Sequence, residues 1–126
     1  MIAKTILAAA LAALPLVGAA QGSPLAAATQ AEIDHLLEYI AHSDCRFSRN
    51  GSWHGMGEAR EHIEMKYQSL RGRGKVRDTE DFIENAAARS SLTGKNYLVQ
   101  CPGQAEVPST QWLGTELARF RQRPKR

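Results

Sequence analysis

Beyond residue 20 the sequence has no apolar stretch long enough to cross a bilayer, only two cysteines, and no internal repeat. The first absence argues against a membrane-spanning domain. The second argues against zinc, because Cys45 and Cys101 have no Cys or His partner at ligand spacing. No Gly-x-Ser-x-Gly elbow is present, and Ser91 has Gly94 where a Ser-x-x-Lys acylase needs its lysine. The basic segment Arg71-Gly72-Arg73-Gly74-Lys75 lacks the spacing and the preceding strand of a phosphate loop. A length of 126 residues leaves room for one small domain. With 43% hydrophobic and 23% charged residues, wholesale disorder is excluded.

What is present begins with a leader. Lys4 supplies a positive start, Thr5 to Val17 is an apolar run, and Gly18-Ala19-Ala20 offers small residues at a cleavage site. This is the pattern of a secretory signal peptide over residues 1–20, cut before Gln21. The run spans only about 20 Å as a helix, short of a hydrocarbon core of about 30 Å. No cysteine follows the site, which argues against a lipoprotein anchor. The expected destination is the periplasm or the exterior.

The formal charge of +3 and the isoelectric point near 9.1 invite a nucleic-acid reading. The distribution argues otherwise. Arg119, Arg121, Arg123, Lys125 and Arg126 are five cations in eight residues, whereas residues 21–118 hold ten basic and thirteen acidic groups. The basicity is a C-terminal cluster and not a basic domain. Export also argues against nucleic acid as a partner. The cluster is a candidate contact for an anionic envelope surface, weighed against a plain solubilising tail.

In an oxidising compartment the two cysteines form the minimal disulfide set. A Cys45–Cys101 bridge would stabilise by roughly 4 kcal/mol through chain entropy.

Residues 21–28 read as a flexible leader. Thr29-Gln30-Ala31-Glu32 has the form of a capping box, and Ile33, Leu36, Leu37 and Ile40 follow as one helical stripe ending near Ser43. His35 and His42 fall on the opposite side, a polar face or a metal-binding one. Asn50-Gly51 between Cys45–Ser48 and Ser52–His54 signals a hairpin. A second helix is expected from about Glu58 to Leu70. A third starts at a cap on Asp78 or Thr79 and carries Phe82, Ile83, Ala86, Ala87 and Ser90 inward, stopping at Gly94. Asn96–Cys101 reads as a strand, and Ser109 or Thr110 caps a last helix with Leu113, Leu117 and Phe120 as its stripe. The expected fold is α+β. About four helices pack with a two- to three-stranded antiparallel sheet and one disulfide, as a single domain over residues 29–121 with a basic tail over 122–126.

These residues also carry a resemblance. Cys45-Arg46-Phe47, Arg49-Asn50-Gly51, Trp53, Glu58-Ala59, His62 and Lys66-Tyr67 form its first half. Glu80-Asp81-Phe82-Ile83, Ala86-Ala87, Ser90 to Gly94, Tyr97, Val99, Cys101 and Trp112-Leu113 complete it. The set resembles the domain of unknown function 5329 family of short exported bacterial proteins, over about Ala31 to Arg121, with Thr93 where the family has Ser. The resemblance supports export and the disulfide. It implies no activity, so no catalytic residue, metal ligand or cofactor carries over.

The best polar constellation is Glu58, His62 and Lys66 at i, i+4, i+8 along the second helix. It reads either as an oriented base, with Lys66 reaching a carboxylate such as Glu116, or as ordinary helix support. Ser90, on an inner helical face, is expected to bond back into its own helix. Thr93-Gly94-Lys95-Asn96-Tyr97 echoes the Ser-Gly-x-x-Tyr element of periplasmic lysozyme inhibitors, whose barrels differ from this helical pattern.

The leading expectation is a non-enzymatic binding or accessory module of the bacterial envelope, without cofactor or metal. Its partner would be an envelope protein or an anionic envelope polymer. The rivals are a small enzyme using His62 with Glu58 and Lys66, an inhibitor-like protein, and a homo-oligomer joined through Trp53 and Trp112. A monomer or weak homodimer is expected.

Overall fold

The computed structural model describes residues 3, 5, 8–14 and 24–124. The expected cleavage site at Ala20 and the tail residues Lys125 and Arg126 lie outside the described residues. No helix among the described residues is long and apolar enough to cross a membrane.

Four helices and four strands alternate as α1 (Ala27–Ala41), β1 (Arg46–Arg49), β2 (Ser52–His54), α2 (Met56–Gly72), α3 (Thr79–Ala86), β3 (Leu98–Gln100), β4 (Val107–Pro108) and α4 (Ser109–Arg121). The strands form one antiparallel sheet in the order β2-β1-β3-β4. The α+β class, the four helices and the disulfide stand as expected, but the sheet has four strands instead of two to three. The extra strand is two residues long. It forms because Gly103, at φ 72°, lets the Pro102-Gly103 turn fold the chain back. Pro108 is tolerated there because β4 is an edge.

One row of side chains explains the sheet's register. Phe47 pairs with Val99, and Val99 with Val107, so all three lie on the face that meets the helices. Against this row pack Ile33, Leu36, Leu37 and Ile40 of α1, Ala59, Ile63 and Tyr67 of α2, Phe82, Ile83 and Ala86 of α3, and Leu113 and Leu117 of α4. Each helix contributes a single stripe, and the stripes close one core.

Local chemistry sets the boundaries. The hairpin between β1 and β2 turns on Asn50 (φ 51°) and Gly51 (φ 81°), the two positive φ values that a type I′ turn requires. Asp78 caps α3 by accepting the Asp81 N–H at 2.7 Å. At the end of α2, Gly74 N–H donates to Arg71 O and Lys75 N–H to Leu70 O, a Schellman closure with Gly74 left-handed.

Several expectations need correction. The first helix starts at Ala27 without a side-chain cap, so the Thr29–Glu32 box is not its cap. Glu32 instead accepts from Thr79 Oγ1 and Arg121, stronger partners than a backbone amide. The leader is not wholly loose, since Leu25 packs on the core. Helix α3 ends at Ala86, well before Gly94. Past that point the backbone of 88–90 pairs with 95–97, through Tyr97 N–H to Ala88 O, Ser90 N–H to Lys95 O and an Arg89–Asn96 bridge. Ser90 is therefore not helical. Its hydroxyl accepts from Leu92 and Thr93 N–H and closes the turn. Ser109 is not a cap either. It donates its hydroxyl to Ala87 O and its N–H to Tyr97 O, tying the start of α4 to the end of α3.

Cys45 and Cys101 are bonded, immediately outside the Arg46–Gln100 pair of β1 and β3. The bridge spans 56 positions in sequence, so it restrains most of the domain in the unfolded state. Reduction, or the double substitution C45S/C101S, is expected to lower unfolding stability by roughly 4 kcal/mol. Urea unfolding with and without reductant measures it.

Candidate functional site

A cleft opens where α2 passes the β1–β2 hairpin and the strand that leads into β3. It has two adjoining hollows that share Arg49, His62 and Tyr97. One, of about 250 Å³, is walled by Phe47, Ala59, Ile63 and Met65, with His54, Glu58 and Glu61 at its rim. The other, of about 520 Å³, adds Lys66, Asn50 and the turn Ser90-Ser91-Leu92. The hairpin tip is fastened to that turn, since Thr93 Oγ1 donates to Asn50 Oδ1 at 2.6 Å and Asn50 Nδ2 to Ser90 Oγ at 3.2 Å.

At the junction runs a short hydrogen-bonded chain. Lys66 Nζ donates to Arg89 O at 2.8 Å and to the Tyr97 hydroxyl at 3.1 Å. That hydroxyl lies 3.2 Å from His62 Nε2. Because the phenol accepts from the ammonium, its own proton can be given to the imidazole. The electrostatics favour that direction. Burial, then the charges of Arg49 and Lys66 and the neighbouring His54, hold His62 below the ordinary imidazole value, so the ring stays neutral and accepts. Burial, then Arg89 and Arg49, lowers Lys66, and burial raises the Tyr97 phenol.

The ladder of Glu58, His62 and Lys66 is thus only partly a unit. All three border the cleft, but each takes a different partner. Glu58 pairs with His54 and not with His62. Lys66 does not reach Glu116. That carboxylate is buried between α1 and α4, 2.9 Å from His35 Nε2. His35 is accordingly not on a solvated face, since its ring stacks on Phe120 at 4.2 Å. His42 turns to Glu38 on the surface. The two histidines do not converge on a metal. Among the described residues, no group of three His, Cys, Asp or Glu side chains could hold an ion.

The basic cluster is also divided. Arg121 donates to Glu32 at 2.6 Å and to Glu80 at 2.7 Å, clamping the end of α4 to α1 and α3. The guanidinium holds both carboxylates below their usual range. Arg119 lies 3.5 Å from Glu116, and Arg123 sits over the Phe120 ring. Trp112 is half-buried, stacked on Tyr39 and edge-on to Phe47. Trp53 carries Arg46 over its ring.

Sequence reasoning missed Arg49 in the cleft, and took Tyr97 as a strand residue with only a weak motif echo. Alternation with the buried Val99, two positions on, was the available signal that Tyr97 points inward.

The His62 shift has a consequence for stability. An imidazole depressed in the folded state but ordinary, near 6.5, in the unfolded chain leaves stability intact above pH 6.5 and removes it as pH falls toward the folded value. NMR titration of the ring is expected to give a midpoint below 6.5. In His62→Gln, the loss of stability between that midpoint and pH 6.5 is expected to shrink, as pH-dependent urea midpoints would show.

Comparison with known proteins places the chain. Residues 27–121 match the family described as a family of unknown function (DUF5329). The uncharacterized protein YfeK of Salmonella typhimurium (strain LT2) is 38% identical over 69 residues, which cover 54% of this chain and 56% of that protein. The match therefore spans a little over half the length of that curated relative. No solved structure matches the chain. Since the family match takes in every helix and strand described above, the chain belongs to DUF5329.

Proposed function

We propose that this protein is an exported, non-enzymatic binding module of the bacterial envelope, and that it holds its ligand in the cleft between α2, the hairpin and Tyr97. The observation that carries the reading is the Lys66–Tyr97–His62 chain. It presents a buried phenol and two half-buried basic groups, fixed in position, beside an apolar hollow. A concave site with an apolar wall and a few convergent polar groups is the usual form of a small-ligand pocket. Export is supported by the leader pattern of residues 1–20 and by the Cys45–Cys101 bridge, which suits an oxidising compartment.

A catalytic reading of the same cleft is favoured by His62, which is neutral and half-buried as a general base should be. It is opposed by Glu58, the carboxylate that would orient the base, because Glu58 is taken by His54. The balance lies with binding.

Of the C-terminal cluster, Arg121 is engaged within the domain, and this favours the cleft as the contact region. Removing residues 123–126 is expected to leave stability unchanged. Removing residues 119–126 is expected to cost about 1 kcal/mol or more, through loss of the end of α4, the Phe120 stack on His35 and the Arg121 bonds to Glu32 and Glu80. Thermal unfolding of the two truncations compares them directly. For export, osmotic-shock fractionation with mass spectrometry is expected to find an oxidised chain beginning at Gln21. An uncleaved, reduced chain retained in the cytoplasm would refute the exported role.

A further inference from the structure

The two hollows of the cleft differ in chemistry, and the difference has a direction. Lys66 stands on the Ser90–Leu92 side and Arg49 at the junction of the two hollows. Among the described residues neither Arg49 nor Lys66 is paired with a carboxylate. Lys66 uses two of its three N–H donors on Arg89 O and the Tyr97 hydroxyl, which leaves one for a ligand. Among the described residues the Arg49 guanidinium has no hydrogen-bond or carboxylate partner, so its fork of donors is available to a ligand. The opposite hollow is apolar, with Phe47 and Ile63 in its wall. The carboxylates Glu58 and Glu61 lie at that end and would repel an anion there. Outside the leader, the most exposed large apolar side chains are Met65 at 64% and Leu92 at 94%, and both border the cleft, one at each hollow.

We propose that the cleft takes a small amphiphilic oxyanion, a carboxylate or phosphate on a short apolar body, with its head at Arg49 and Lys66 and its body against Phe47 and Ile63. This rests on the reading of the cleft as the binding site and gives that site a ligand class. The apolar hollow, at about 250 Å³, is at the small end for ligand pockets, so the body is short. Unpaired cations supply the attraction, and the acidic rim fixes which way the ligand lies. Seating an anion beside Arg49 and Lys66 also relieves the mutual repulsion of those like charges.

The test uses the purified protein and four six-carbon probes that share one tail: hexanoate, hexyl phosphate, hexanol and hexylamine. Binding is followed by NMR at the His62 ring and the Tyr97 amide. Hexanoate and hexyl phosphate are expected to shift both signals saturably, and the tighter of the two identifies the head group. Hexanol, which lacks the charge that faces Arg49 and Lys66, is expected to bind at least about tenfold more weakly, and hexylamine more weakly still. Arg49→Met and Lys66→Met are each expected to weaken the preference for the anions, and the double variant to erase it, while hexanol binding persists, which also shows that the variants are folded. If hexanol or hexylamine binds as well as hexanoate, the cleft remains the site and the anionic class is overturned. If none of the four moves either signal, the cleft reading itself falls.

Discussion

The pairing of β1 with β3 is the constraint on which the rest of the molecule depends. It is the central ladder of the sheet, it sets Phe47 against Val99 at the floor of the core, and the Cys45–Cys101 bond lies immediately beyond its last pair. A one-residue slip of either strand would turn its side chain of the Phe47–Val99 pair out of the core. The same ladder brings the hairpin tip beside the turn at Ser90 and sets Tyr97, the residue before β3, under α2. The disulfide therefore acts beyond the unfolded chain. By holding the register, it holds the geometry of the cleft.

The basic isoelectric point resolves into two unlike parts. Arg121 closes the domain, bridging Glu32 of α1 and Glu80 of α3, and so behaves as a structural clasp and not as part of a tail. Arg49 and Lys66 are the opposite case. They sit in a body of negative formal charge, yet they gather at one cleft and, among the described residues, pair with no carboxylate. Net charge could not reveal this, because it sums over positions that the fold separates.

Legibility in the sequence followed how local each feature was. The stripe of α1, Leu113 and Leu117 of α4, the Asn50-Gly51 hairpin and the Asp78 cap depend on residues within a turn or two, and are where periodicity and turn chemistry put them; Phe120 lies outside the core, where it stacks on His35. The end of α3 was misread because nothing local stops it. The chain leaves the helix at Ala87 since residues 95–97 offer its backbone better partners from afar. Val107–Pro108 is too short for any pattern to announce. The site was half legible. Helical spacing does place Glu58, His62 and Lys66 along one side of α2. Which partner each takes is a tertiary matter, decided by His54 and Tyr97 on other elements.

The cleft's electrostatics bear on why it exists. Half-burying Lys66 near Arg49 and Arg89 costs free energy, and the lowered lysine reflects that cost. A domain of about 100 residues has typically only 5–15 kcal/mol of stability, so such a cost is not negligible. Apolar residues at Arg49 and Lys66 would relieve it without disturbing the core, since neither belongs to the buried cluster. The Asn50 and Thr93 contacts, by contrast, spend further ordering on holding the same cleft in shape. Like charges and fixed walls gathered at one place are the pattern expected where stability is traded for recognition.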